Sequence, residues 1–273
     1  MNEAGYRRWR DLKFASAPTC ADDLIVEVKD PQALTASEKS ALLARLSASN
    51  MAIYAGEVAD PDVAKIALQF GLRGLDANWL AGEDGISRIT VTGDGKGYIP
   101  YTRKPIKWHT DGYYNPPERK IRAMLLHCVR SASEGGENRL MDHALLYCLL
   151  RDLNPDHVRA LSAADAMTIP ERTDEDGVAR AAETGPVFSF DPDGHLHMRY
   201  TARTRSIAWK QDAATLAAVA AIESILSSPS PHVLRTRLEP GMGLVCNNVL
   251  HDRSAFSDDS RLLYRARYHD RIS

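Results

Sequence analysis

The feature that most constrains the fold is a histidine–carboxylate pair, His109 and Asp111, with a further histidine, His251, much later in the chain. A histidine and a carboxylate two residues apart on an extended segment point to the same side of the backbone. A second histidine from a distant strand completes three ligands on one face of a metal. That arrangement is the facial triad typical of non-haem Fe(II), which leaves coordination positions open. These three residues are therefore the candidate metal-binding and catalytic residues, and the fold must bring their strands together.

Hydrophobic patterning predicts strands through the middle and end of the chain, with helices inserted and concentrated at the front. The predicted strands are 51–55, 86–92, 106–111, 121–130, 138–141, 187–190, 195–200, 232–238, 243–249 and 262–268. The predicted helices are 35–47, a segment capped by Asp60 and ended near Gly71, one after Asp142, one after Asn154 and 212–226. The order suits a mainly β fold with helical decoration, on a double-sheet jelly-roll core. We expect one domain over 1–273, with a helical part, about 1–80, packed on that core.

Composition narrows the class of protein. The 34 basic and 36 acidic residues give a net charge of −2, which argues against a nucleic-acid partner bound through a broad basic field. No apolar run is long enough for a membrane span, and the first residues lack the apolar region of a secretory signal. The four cysteines are widely spaced, which is typical of reduced thiols rather than of a disulfide framework. We therefore expect a cytoplasmic protein that binds a small molecule, without nucleic acid or membrane; a homo-oligomer is compatible with the sequence.

An arginine-rich strand follows His251. Arg261, Arg265 and Arg267 share one face at a period of two residues. A following antiparallel strand would run beside the metal, where a guanidinium fork could bind a carboxylate through two parallel hydrogen bonds. A keto-acid cosubstrate, whose far carboxylate needs such an anchor, would fit this strand.

At this point the chain resembles the taurine catabolism dioxygenase family. The resemblance rests on blocks in the family's order: Trp108-His109-Thr110-Asp111-Gly112, Glu134-Gly135-Gly136-Glu137-Asn138, Asp142, the segment 247–258 and Arg261-Leu262-Leu263-Tyr264-Arg265. It spans roughly residue 80 to the C-terminus. Members are Fe(II)- and 2-oxoglutarate-dependent oxygenases on a double-stranded β-helix, so the resemblance implies the same fold and the same use of O2.

The resemblance also implies roles for residues. His109, Asp111 and His251 would hold iron. Arg261 would bind the 5-carboxylate of 2-oxoglutarate, while Arg265 would either reach a substrate anion or buttress the cosubstrate. Asn138 stands where several members carry a threonine that hydrogen-bonds 2-oxoglutarate, and its amide could donate similarly.

The implied reaction is oxidation, in the first place hydroxylation, of an aliphatic C–H bond, with succinate and CO2 released. Relatives that halogenate replace the carboxylate ligand by a small residue, so Asp111 favours hydroxylation or a variant such as desaturation. The substrate is expected to be small, and anionic or amino-acid-like. Candidate substrate residues are Tyr113, Tyr114 and Asn115 after the metal ligands, and a basic cluster formed by Arg199, Arg203 and Arg205.

Two other interpretations stay open at this level. A cupin-like enzyme could use a divalent metal without 2-oxoglutarate, but it would have no use for the arginine strand that begins at Arg261. A non-catalytic small-molecule-binding module on the same barrel would not require an intact triad.

Overall fold

The computed structural model describes residues 2–58, 60–77, 81–92, 98–174, 177–204 and 207–273, with the backbone alone at 174 and 177–179. The α-helices are α1 Glu3–Ala15, α2 Ala36–Ser49, α3 Val63–Gln69, α4 His143–Leu153, α5 Pro155–Leu161 and α6 Ala213–Ser227. The strands of the first half are β1 Ile25–Glu27, β2 Met51–Ala55, β3 Ser87–Ile89, β4 Ile106–His109, β5 Ala123–Arg130 and β6 Asn138–Met141. The next strands are β7 Met167–Ile169, β8 Arg172–Asp174, β9 Gly177–Arg180, β10 Glu183–Gly185, β11 Phe188–Phe190, β12 Leu196–Met198 and β13 Ala208–Trp209. The last strands are β14 Leu234–Thr236, β15 Met242–Cys246, β16 Leu250–Arg253 and β17 Leu262–Tyr268.

Two sheets carry most of these strands. The larger has six strands in the order β1-β2-β15-β5-β17-β3, and the smaller has four in the order β14-β6-β16-β4. A three-stranded sheet, β10-β7-β13, and the pairs β11-β12 and β8-β9 lie outside them. The part of the chain expected to be helical, about 1–80, therefore also contributes strands, since β1 and β2 form one side of the large sheet.

An apolar layer joins the two main sheets. Leu126 and Leu244 from the large sheet cluster with Leu140 and Leu234 from the small one, and all four are buried. A separate cluster packs α2 and α3 against the large sheet. Burial of this apolar surface favours the face-to-face arrangement of the sheets, and the candidate site lies between them.

The predicted strand 243–249 extends too far. β15 in the large sheet ends at Cys246, residues 247–249 form a turn, and β16 in the small sheet begins at Leu250. Asn248 at this turn has a φ of 51°, in the left-handed region that asparagine tolerates better than most residues. Asn247 and Asn248 interrupt the apolar sequence at this turn, and the apolar residues on the two sides of it are buried in different sheets.

Helix starts follow their polar caps. Thr35 forms a capping box with Glu38 and Asp142 caps α4, as predicted, and Asp212 caps α6. The prediction of Asp60 as a cap is wrong, because Asp62 accepts the first amide hydrogens of α3. Asp60 instead accepts a hydrogen bond from the Tyr264 hydroxyl at 2.8 Å. Among the described residues, no helix has the length and apolar character needed to cross a membrane.

Candidate active site

The strand register brings the predicted triad together. His251 on β16 pairs directly with His109 on β4, and Asp111 follows two residues later. One potential ligand atom from each residue lies within 4.8 Å of the others. Nε2 of His109 is 3.7 Å from Oδ1 of Asp111. The sequence-predicted residues therefore form one cluster whose side chains could hold a metal ion.

Local hydrogen bonds orient both imidazoles. Nδ1 of His109 lies 2.9 Å from the carbonyl of Lys107, and Nδ1 of His251 lies 3.0 Å from the carbonyl of Val249. Because a carbonyl only accepts, each Nδ1 carries the proton and each Nε2 keeps its lone pair. Oδ2 of Asp111 is buried and has no hydrogen-bond partner among the described residues. Two imidazole nitrogens and one carboxylate oxygen without a partner are a donor set that fits Fe(II).

The backbone at Asp111 is fixed on both sides. The Asn248 amide accepts from the Asp111 N–H at 2.8 Å and donates to the Asp111 carbonyl at 2.9 Å. Gly112 has a φ of 67°, and a Cβ there would overlap the Ile121 side chain. Only glycine combines this conformation with such a close approach. The carboxylate is thus held in place by its neighbours.

The charges around the cluster favour metal-binding protonation states. Burial lowers the pKa of His109 to about 3, with a further contribution from His251. Burial would raise the pKa of Asp111, but the positive charges of Arg265 and Arg267 outweigh it and the pKa lies well below its usual range. Neutral imidazole and ionised carboxylate are the forms that coordinate a metal.

A cavity between the sheets opens beside the two histidines. Its polar lining includes Asn138, Arg261 and Arg265, and Leu126 and Leu263 supply apolar wall. The arginine strand therefore runs beside the cluster, as the sequence predicts. Arg265 brings Nη1 to 3.3 Å from Oδ1 of Asp111.

Two arginines in this cavity differ in their partners. Arg261 is 6% exposed, and its guanidinium makes no hydrogen bond or ion pair within the described residues. It lies over the Phe256 ring at 5.1 Å, and burial lowers its pKa to about 10. Arg253 is 4% exposed and donates to the carbonyls of Thr102 and Lys104 at 2.7 and 2.6 Å. An unpaired buried cation is costly, so Arg261 is the group that fits an anionic ligand.

The side-chain amide of Asn138 uses one of its hydrogens within the protein. Its Nδ2 donates to the carbonyl of Asp252 at 2.7 Å, although the residue lines the cavity. Asp252 also accepts from the guanidinium of Arg139, which stacks over the Trp108 ring at 4.9 Å. These contacts join β6, β16 and β4 behind His251. They brace the strand that carries the second histidine.

A second cavity borders Asp111 and gathers three of the residues predicted to bind substrate, Tyr113, Asn115 and Arg199. Arg199 is braced by the backbone, since it donates to the carbonyls of Tyr113, Met167 and Glu183. Burial lowers its pKa to about 10. Most of its donor capacity is thus used within the protein, which weakens the case for Arg199 as a direct substrate ligand.

Arg203 lies elsewhere, on a segment that runs along β4. Thr201 forms an isolated bridge with His109, and Ala202 donates its N–H to the Trp108 carbonyl at 2.8 Å. Burial raises the pKa of the Tyr113 hydroxyl, and the positive charge of Arg203 partly offsets that rise. Arg205, the third member of the predicted basic cluster, lies outside the described residues.

Sequence reasoning missed residues that support the site. Asn248 holds the Asp111 backbone, and Arg253 fixes the segment before β4. The guanidinium of Arg180 on β9 lies over the ring of Tyr114, which follows the metal ligands in sequence. An asparagine pair after an apolar strand is a turn signal, so it could have located Asn248. No local pattern indicates the other two, because their contacts are long-range.

The fold and the cluster define a class, the mononuclear non-haem iron oxygenases with a His-Asp-His site. Residues 15–267 match the model of the family described as "Taurine catabolism dioxygenase TauD, TfdA family". The chain belongs to this family.

Two curated relatives are similar to parts of the chain. A uridine-5'-phosphate dioxygenase from Amycolatopsis sp is 31% identical over 169 residues, which cover 59% of this chain and 60% of the relative. A protein of the same name from Streptomyces sp is 29% identical over 196 residues, 67% of this chain and 69% of the relative. The match to the first relative thus spans less than two thirds of its length.

Solved structures share the fold at low identity. An asparagine oxygenase in complex with Fe(II), 2S,3S-3-hydroxyasparagine and succinate has a TM-score of 0.58 and 12% identity, covering 98% of this chain and 92% of that chain. The non-heme iron oxygenase OrfP in complex with Fe and alpha-ketoglutaric acid has a TM-score of 0.62 and 15% identity, with the same coverage. At this identity the likeness supports the fold alone.

Proposed function

We propose that this chain hydroxylates an aliphatic C–H bond of a nucleoside 5'-monophosphate, using Fe(II), 2-oxoglutarate and O2 and releasing succinate and CO2. The observation that carries the reaction class is the His109–Asp111–His251 cluster beside an unpaired buried Arg261. The substrate class rests on the two relatives named as uridine-5'-phosphate dioxygenases. It also agrees with the sequence-based expectation of a small anionic substrate.

We interpret the two facing sheets as a double-stranded β-helix, the jelly-roll core of cupin-like proteins. The support is the pairing of β16 with β4 and of β17 with β5, which places strands that are distant in sequence side by side. In such a core the metal ligands come from strands at one end. The arginine strand forms part of the facing sheet.

His109 and His251 would each bind the iron through Nε2, and Asp111 would bind it through a carboxylate oxygen. Fe(II) and 2-oxoglutarate, when bound, would together with O2 supply an oxidant for unactivated C–H bonds, and this chemistry belongs to the cofactors rather than to the side chains. The chain supplies the geometry. Asn248 and Gly112 hold Asp111 in register, and the backbone carbonyls behind both histidines fix their tautomers.

Arg261 would bind the far carboxylate of 2-oxoglutarate through its guanidinium fork. Asn138 would add a hydrogen bond with the amide hydrogen that Asp252 does not take. Arg265 would keep Asp111 ionised and oriented, since it already faces that carboxylate. Leu126 and Leu263 line the cavity, and their apolar side chains would help to exclude water from it.

The carboxylate ligand supports hydroxylation over halogenation, because Asp111 fills the position that a halide would need. Tyr113, Asn115, Arg199 and Arg203 remain the proposed substrate residues. Tyr113 and Asn115 line the cavity next to Asp111. Arg199 would act mainly by shaping that cavity.

A cytoplasmic location is part of the proposal. Cys128, Cys148 and Cys246 are buried free thiols, and Cys20 is an exposed one. Free thiols persist in a reducing compartment.

Succinate formation tests the reaction and the substrate together. The purified chain is supplied with Fe(II), 2-oxoglutarate and O2, and succinate is measured with uridine 5'-monophosphate, uridine, L-asparagine, L-arginine or no addition. We expect uridine 5'-monophosphate to raise succinate formation well above the uncoupled rate. The His251→Ala variant should lack this stimulation, while a variant of exposed His195 should keep it.

Stimulation by an amino acid alone would contradict the nucleotide assignment and leave the reaction class standing. Wild-type protein that binds iron but forms no succinate with any addition would contradict the oxygenase reaction itself.

A further inference from the structure

The cavity that borders Asp111 also holds a polar cluster contributed by two segments that are distant in sequence. Lys120, Ser189 and His197 line this cavity together with Asp111. Ser189 on β11 pairs directly with His197 on β12, and residues that oppose each other in an antiparallel pair lie on the same face of the sheet. Nζ of Lys120 donates to Oγ of Ser189 at 3.3 Å. The three polar side chains therefore form one group in the wall of the cavity.

The protein balances the charge of Lys120 only weakly. Nζ of Lys120 lies 3.9 Å from Oδ1 of Asp191, beyond hydrogen-bond distance. Both oxygens of Asp191 are engaged by Arg122, which donates to them at 2.9 and 3.3 Å. An ammonium group has three N–H donors, and Ser189 takes one of them. Lys120, with a side chain that is 26% exposed, therefore keeps donors and charge for a ligand.

The other groups of this wall differ from Lys120 in charge or in partners. Arg199 donates to three backbone carbonyls, and the carboxylate of Glu183, which also lines the cavity, acts on its charge. Burial lowers the pKa of His197 to about 3, and the charge of Lys120 adds to this effect. The imidazole is therefore neutral at pH 7 and offers one N–H donor. Its ring has no hydrogen-bond partner among the described residues. The wall thus presents one weakly balanced cation beside a hydroxyl and an imidazole.

This set of donors fits a phosphate monoester. Such a group carries a charge of about −1.5 to −2 at pH 7 and offers three strong acceptor oxygens. Lysine binds phosphate as a point charge, and the Ser189 hydroxyl and the His197 N–H would each add a hydrogen bond. A carboxylate has two oxygens and a single charge, so it would leave part of the donor set unused. The cluster therefore favours phosphate over the carboxylate of an amino acid.

We propose that Lys120, Ser189 and His197 bind the phosphate of the substrate, in the cavity that borders Asp111. The site deepens the proposed function and rests on it, since it gives the phosphate of a nucleoside monophosphate its place in the active site. With the phosphate held there, the remainder of the nucleotide would extend toward Asp111 and the metal. The hairpin of β11 and β12 then contributes a specificity determinant that the metal-binding strands lack.

Binding measurements on the assembled protein test this site. The protein is loaded with Fe(II) and 2-oxoglutarate without oxygen, and its affinities for uridine 5'-monophosphate and for uridine are measured by calorimetry. The variants are Lys120→Gln, Ser189→Ala and His197→Ala. The matched control is Lys65→Gln on α3, because the Lys65 side chain is 65% exposed and pairs with Asp62 at 3.7 Å.

We expect wild type to prefer the nucleotide over the nucleoside. Lys120→Gln should weaken nucleotide binding by about 10- to 100-fold, since it removes a charged hydrogen bond to phosphate. Ser189→Ala and His197→Ala, which remove neutral donors, should each weaken it by about 2- to 10-fold. Uridine binding should not change in any of the three. Lys65→Gln should behave as wild type, and Lys120→Arg should recover part of the loss because it keeps the charge.

Undiminished nucleotide binding in Lys120→Gln would overturn the phosphate site and leave the proposed function standing. Equal losses of nucleotide and nucleoside binding in the variants would also overturn the site, because the three residues would then only shape the cavity. Equal affinity of wild type for the two ligands would overturn both the site and the nucleotide substrate. The visible absorption of Fe(II) with 2-oxoglutarate is recorded in every sample. Its absence in wild type would contradict the reaction class, while the comparison of nucleotide with nucleoside would still decide the phosphate site.

Discussion

Arg265 places Nη1 3.3 Å from Oδ1 of Asp111, and this contact joins the arginine strand of the large sheet to the metal strand of the small one. Both residues are largely buried. In a site with little water, a cation so close to a carboxylate stabilises the ionised form. The contact explains why a buried Asp111 keeps a pKa below its usual range. Between the two roles that the sequence left open for Arg265, the structure favours one of support over one of direct substrate capture.

Arg261 and Arg253 share a cavity but should respond differently to the same substitution. Arg261→Gln removes a buried cation without a protein partner, so we expect the free energy of unfolding to stay the same or rise. Affinity for 2-oxoglutarate should fall by about 10- to 100-fold. Thermal unfolding and calorimetry with Fe(II)-loaded protein measure the two effects separately.

Arg253→Gln is the matched comparison. It leaves the carbonyls of Thr102 and Lys104 without their donor, so the protein should lose about 2–4 kcal/mol of stability. A loss of stability in Arg261→Gln as large as that in Arg253→Gln would show that Arg261 is a structural residue.

Gly112→Ala should damage the metal site beyond the cost of backbone strain. A side chain at a positive φ costs about 1–2 kcal/mol, and at Gly112 the new Cβ would also overlap Ile121. Gly194 has a φ of 81° and nothing within 4 Å of an added Cβ. Gly194→Ala therefore measures the cost of backbone strain alone. We expect both variants to unfold at lower temperature and only Gly112→Ala to bind iron more weakly. Equal iron affinity in the two would contradict the role assigned to Gly112.

Asn248 should act as a positioning residue for Asp111. Asn248→Gly preserves the left-handed backbone but removes the two hydrogen bonds to Asp111, so iron affinity should fall by about 10- to 100-fold, as for other groups that orient metal ligands. Asn247→Ala is the control, because Asn247 bonds the backbone of Ile272 instead. Metal titrations and unfolding curves on both variants separate positioning from stability. Iron affinity that falls in parallel with stability in both would refute the assignment.

His143 should make the fold sensitive to acid. Burial lowers the pKa of His143 from 6.5 to about 4, and the residue is 1% exposed. As the pH falls from 6.5 to 4, the unfolded chain takes up a proton that the folded chain refuses, so stability is lost over this window, by up to about 3 kcal/mol. His143→Gln should flatten the pH dependence of unfolding by denaturant. An unchanged slope, with the same substitution at exposed His195 as control, would contradict this prediction.

The local part of the site was open to prediction from sequence. A spacing of two places His109 and Asp111 on one face, and polar residues before apolar runs locate the starts of α2, α4 and α6. The strand that follows Arg261 and carries Arg265 also lies where its alternation predicts. These features depend on neighbours in sequence, which the pattern records directly.

Features set by long-range contacts were not open to prediction in this way. The asparagine pair at 247–248 signals a turn, but it does not show that the strand after the turn joins the other sheet. Arg199 looks like a free cation in sequence, but three distant carbonyls occupy it. The contact between Arg180 and the Tyr114 ring depends on how the β8–β9 hairpin packs, so the sequence around Arg180 does not indicate it. These contacts join residues that are distant in sequence, so the tertiary fold determines them.

The most direct test of the central claim is a titration without oxygen, in which 2-oxoglutarate is added to Fe(II)-loaded protein and the visible charge-transfer band is recorded. We predict a band in wild type that saturates at one 2-oxoglutarate per iron-loaded chain. It should be lost in His109→Ala and His251→Ala and kept in His195→Ala, an exposed histidine away from the cluster. Wild-type protein that holds iron without developing the band, or a band that survives His251→Ala, would contradict the account.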